Sequence, residues 1–168
     1  MKNWRTEEEL VARIKADFKA NGIKATIRRE RGGWTTSLII NIITTEKDFK
    51  PFALYAQEYK PARSLWADGN RLISYQEWVY MEDEEEQERI RQFDMKKNYQ
   101  ICREEHFQLN HYHVSWYKEL TDECRNRIQK AIDICNSYNY DNSDAMTDYF
   151  DVGFYQHFEL RNKGLQVA

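Results

Sequence analysis

Residues 22–45, GIKATIRRERGGWTTSLIINIITT, decide the fold. Their second half is dense in β-branched side chains: Thr35, Thr36, Ile39, Ile40, Ile42, Ile43, Thr44 and Thr45. Such residues suit a pleated, packed surface. Apolar residues fall on both faces of this run except at Asn41, which places it centrally in a sheet. Ile23 to Arg29 makes a shorter run, and Gly32-Gly33 gives the turn between them access to positive φ. A β-hairpin is expected.

On the N-terminal side, Thr6-Glu7-Glu8-Glu9 fits a capping box, in which threonine hydroxyl and Glu9 carboxylate each take an orphan backbone N–H. Leu10, Val11, Ile14 and Phe18 then form one apolar stripe, and Asn21-Gly22 ends the helix. On the C-terminal side, Tyr112, Val114 and Trp116 alternate with His111, His113 and Ser115, which predicts a half-buried strand from Leu109. Thr121-Asp122-Glu123 opens a second helix with Ile128, Ala131, Ile132 and Cys135 inward. Val152, Phe154, Phe158 and Leu160 predict a last strand.

Residues 46–108 are less regular. Asp48 to Tyr59 reads as a short helix, Ser74 to Glu77 as a helix cap or part of a strand, and Glu84 to Lys97 as a largely polar helix. The sum is an α+β fold: a largely antiparallel sheet covered on one face by two main helices, with a long helical or irregular insertion. We read residues 1–168 as one domain, with its core in 6–45 and 109–160 and its insertion in 46–108.

Composition narrows the class. The chain of 168 residues is 41% hydrophobic, with 5 Trp, 11 Tyr and 8 Phe, which argues against a disordered chain. No apolar run approaches the roughly 20 residues of a membrane span, and Met1 to Arg5 leads into acids rather than a signal peptide. Cys102, Cys124 and Cys135 form neither a disulfide framework nor a CxxC pair, so they read as core residues of a reduced, cytoplasmic protein. The net charge of −3 exerts no global pull on nucleic acid. No Walker loop, GxGxxG, HExxH or GxSxG motif occurs, and no cofactor is called for.

Two segments carry a family resemblance. Gly22 to Arg28 followed by Arg31 to Leu38, and later Ala145-Met146-Thr147-Asp148-Tyr149-Phe150-Asp151, resemble the opening and closing of the large polyvalent protein-associated domain, type 29. That resemblance implies a helix, a strand, a glycine-containing turn and a second strand. It also implies a home in phages or conjugative elements. It brings no catalytic residues.

Three constellations have a chemical reading. Lys24, Arg28, Arg29 and Arg31 with Trp34 could hold phosphate and stack a base. The plainer reading is a solvated hairpin whose arginines pair with glutamates such as Glu30. His111 and His113, on one face of the expected strand, could chelate a metal; polar residues on an exposed strand face look the same. Asp141, Asn142, Ser143, Asp144, Asp148 and Asp151 offer oxygen ligands, or simply turn and cap residues. The acidic run Glu82 to Glu88 reads as a phosphate mimic or a solvated helix face.

The aromatic excess favours a non-enzymatic binding or accessory protein of a mobile element, acting through contacts with a protein partner. A nucleic-acid module using the hairpin and a metal-dependent enzyme at His111 and His113 are the alternatives.

Overall fold

The Thr6 hydroxyl accepts the Glu9 N–H at 3.1 Å and caps helix α1, Glu7–Ala20. The Glu9 carboxylate reaches back one residue further than a capping box requires and takes the Arg5 N–H at 2.8 Å. Leu10, Ile14 and Phe18 of α1 are buried, each contributing roughly 2 kcal/mol by leaving water. Gly22, at φ 68°, turns the chain into the hairpin. The computed structural model describes residues 2–33, 35–140 and 152–165.

The hairpin forms as expected, with β1 (Ala25–Gly32) antiparallel to β2 (Thr35–Thr44). Two further strands, β5 (His106–Leu109) and β6 (Tyr155–Asn162), complete a sheet ordered β1-β2-β6-β5. The β5–β6 ladder is antiparallel, whereas the central β2–β6 ladder is parallel. The fold is therefore α+β with a mixed sheet. Leu38, Ile40 and Ile42 of β2 and Phe158 and Leu160 of β6 point to one side, where α1 and α5 (Asp122–Tyr138) bury them in the main core. Thr121 caps α5 by accepting the Cys124 N–H at 3.1 Å. Ile39, Asn41 and Ile43 face the other side and are half-buried.

Residues 46–105 hold α2 (Phe52–Glu58), the hairpin of β3 (Ser64–Ala67) and β4 (Arg71–Ser74), α3 (Tyr75–Val79) and α4 (Glu84–Cys102). Ser74 caps a helix, so Trp78 and Val79 are helical rather than part of a strand. This segment forms two apolar clusters of its own. Tyr55, Tyr59, Met95 and Tyr99 make one, and Leu65, Ala67, Ile73 and Ile90 make the other. An isolated bridge between Phe49 and Leu120 and the Lys50 N–H to Glu119 carbonyl bond (2.8 Å) fasten it to the core.

The expected strand from Leu109 to Trp116 is corrected. The chain leaves the sheet at Leu109, makes a turn, and enters a short 3-10 stretch at Val114–Trp116. Val114 is buried, but Tyr112 and Trp116, expected on the same inward face, stand in solvent. Among the described residues, no helix is long and apolar enough to cross a membrane.

Candidate binding cleft

The basic hairpin does not present one continuous surface. Alternation along β1 sends Arg29 and Arg31 to the helix side, where they meet the first turn of α1. Arg29 reaches Glu8 at 2.5 Å and Glu7 at 3.1 Å, and Arg31 reaches Glu7 at 2.9 Å. The Thr36 hydroxyl donates to the same Glu7 carboxylate. That hydrogen bond, with Arg31 behind it, holds the Glu7 carboxyl below its usual range. Arg28 points to the opposite face and pairs with Glu30 at 2.9 Å. Lys24 precedes β1, ~23 Å along the strand direction from Arg31. Trp34 lies outside the described residues, as do residues 141–151 with their oxygen-rich loop.

The two histidines also part company. With the strand ended at Leu109, His111 and His113 no longer share a face. The His111 ring lies 4.1 Å from that of Tyr112 and 5.5 Å from that of Phe158. His113 stacks on Trp116 at 3.8 Å with the rings almost parallel. Among the described residues, no group of three or more His, Cys, Asp or Glu side chains is placed to hold a metal.

What ends the strand is Asn110. Its N–H donates to the Tyr117 hydroxyl (2.6 Å), its side-chain oxygen accepts the Tyr112 N–H (3.1 Å), and its carbonyl accepts the His113 N–H (3.1 Å). An asparagine that bonds its own turn in this way outcompetes the ladder. The result is a loop, residues 110–117, that holds Tyr112 80% exposed and Trp116 67% exposed.

Beside this loop, past the end of β5, lies a cleft of about 1100 Å³. One wall is the loop, with His111, Tyr112 and Tyr117. The other is α5, with Gln129 and Asn136, and β6 contributes Gln156. The Gln156 amide donates to Asn136 Oδ1 at 2.7 Å. Its own Oε1 and the Nε2 of His111 are buried without a hydrogen-bond partner. Each unsatisfied atom of this kind calls for an explanation, such as a bound water or local strain. Burial, and secondarily the charge of His157, lowers the His111 pKa, so the ring is neutral at pH 7. Among its described lining residues the cleft carries no Asp, Glu, Lys or Arg.

Other buried polar groups serve the fold. Asp94, 1% exposed, accepts the Trp66 N–H (2.7 Å), the Asn98 amide (3.0 Å) and the Tyr59 hydroxyl. Cys102, Cys124 and Cys135 are free and buried, and burial pushes the thiols of Cys124 and Cys135 up to about 12. These are inert core thiols. Glu119 is 9% exposed, and burial pushes its carboxyl up to about 7.

No protein-family model, curated protein or solved structure matches this chain. Sequence reasoning singled out His111 but missed Asn110, Asn136 and Gln156. The turn-forming Asn110 was a readable signal. The meeting of α5 with β6 was not, because the two residues are twenty positions apart and each looks like ordinary surface polarity.

Proposed function

We propose that this chain is a non-enzymatic binding protein, belonging to a phage or other mobile element, that recognises a protein partner through loop 110–117 and the adjoining cleft. The observation that carries the reading is that Tyr112 and Trp116 are both largely exposed on a loop fixed by Asn110. Tyr and Trp are the side chains that most often anchor interfaces, since they offer large area for little conformational entropy. Trp116 stacks on His113, and Tyr112 lies tilted against His111, before any partner arrives.

The mobile-element part rests on the resemblance of residues 22–38 and 145–151 to the type 29 domain. Phage or conjugation genes are expected beside its own gene, and a purely housekeeping neighbourhood contradicts that part alone. The binding part is tested by capture from the source cell with the full chain. A partner held by the wild type and lost by Tyr112→Ala with Trp116→Ala is expected. Capture undiminished in that double variant contradicts the reading.

A further inference from the structure

We infer that the cleft receives an uncharged, extended peptide segment, which adds to β6 as a short strand at Gln156. The inference rests on the protein-binding reading and specifies the partner's chemistry. Its basis is the direction of the β6 backbone. The Lys163 N–H, just past β6, bonds the Thr44 carbonyl on the β2 side (3.1 Å), whereas the Asn162 N–H bonds the Glu105 carbonyl on the β5 side (2.9 Å). Successive residues of a strand alternate in this respect, so even-numbered residues of β6 address β5.

Leu160 and Phe158 stand opposite Phe107 and Leu109. The same register would set Gln156 against residue 111, but the chain has already turned away at Asn110. Two positions before Gln156 the edge is closed again. The Asn139 amide accepts the Phe154 N–H (3.1 Å) and donates to the Phe154 carbonyl (2.8 Å), imitating a strand. Between these two closures, Gln156 aims its N–H and carbonyl at the cleft. Neither has a hydrogen-bond partner among the described residues.

A peptide unit supplies both complements at once, and strand addition of this kind draws its affinity from main-chain bonds. From Phe158 to Phe154 is ~13 Å, room for three or four extended residues. The described lining sets the character of their side chains. A charged group would be desolvated there with no counter-charge among the described lining residues, at considerable cost. Tyr112, on the loop wall of the cleft, is placed for the flanking part of the same partner.

The test is a random heptapeptide display library selected against the full chain, followed by amide hydrogen exchange with the best synthetic peptide. Selected sequences are expected to lack charge over three or four consecutive positions, and saturation to slow exchange of the Gln156 N–H at least 10-fold. The inference is overturned if no peptide is selected, if charged sequences dominate, if Gln156 exchange is unchanged, or if a single-stranded oligonucleotide displaces the peptide. Unchanged Gln156 exchange, with partner capture still dependent on Tyr112 and Trp116, removes this inference and leaves the binding reading intact. Capture independent of both aromatics removes the binding reading and the inference with it.

Discussion

Arg31 places both Nε and Nη2 against one carboxylate oxygen of Glu7, at 3.1 and 2.9 Å, joining the tip of the hairpin to the first turn of α1. Glu7 also accepts from Arg29 and Thr36, so one glutamate gathers three donors from two strands. The helix N-terminus favours that charge further. The arginines that look like a phosphate clamp in the sequence therefore clasp sheet to helix.

Replacing Arg29 and Arg31 together by Ala should lower stability slightly, since exposed ion pairs are individually weak but these converge on one acceptor. The urea midpoint reads the change. Because the Glu7 carboxyl is held low, its contribution is present above the ordinary carboxylate range and fades as pH falls through its folded pKa. A variant of unaltered stability that loses affinity for single-stranded nucleic acid would restore the hairpin as a binding site.

Glu119 acts in the opposite sense. Its carboxyl rises from 4.5 to about 7, chiefly through burial, at the junction where Lys50 and Tyr55 meet the core. The protonated form is the one the fold favours. Stability should thus be greatest below about pH 4.5 as far as this group is concerned, and decline by roughly 3 kcal/mol as pH rises towards and through 7. Glu119→Gln should flatten that slope and unfold at higher urea than the wild type at pH 8. Identical profiles for the two proteins between pH 5 and 8 would refute the assignment.

Asp94→Ala strands the Tyr59 hydroxyl and the Trp66 N–H in the apolar ground between α4 and the β3–β4 hairpin. Losing a buried acceptor of three bonds should cost roughly 3 kcal/mol, visible as a lower melting temperature. Asp94→Asn keeps one of the two acceptor oxygens and should cost less. Equal losses would mean that charge, rather than hydrogen bonding, is what the site requires.

Much of the fold was legible because its signals are local. Thr6 and Thr121 announce helices through their own hydroxyls, and the β-branched run of β2 leaves little choice but a central strand. The parallel β2–β6 ladder was not legible, because nothing in either strand encodes the direction of a neighbour more than a hundred residues away. Loop 110–117 misled for a definite reason. Its apolar–polar alternation imitates a strand, while Asn110 and Tyr117 close a turn whose hydrogen bonds matter more than the pattern. The site suffered likewise: the arginines were visible but their carboxylate partners on α1 were not, and the cleft depends on Asn136 and Gln156 meeting across a helix and a strand.

Loop 110–117 is the proposed binding surface. Its most direct test is the affinity of the captured partner for wild type and for the Tyr112→Ala, Trp116→Ala double variant, measured by titration calorimetry with melting curves as a folding control. Both rings are exposed, so the melting temperature should stay within a few degrees of the wild type, while affinity falls at least ~30-fold, the loss of about 2 kcal/mol typical of an anchoring aromatic. Equal affinity in a folded double variant would contradict the account.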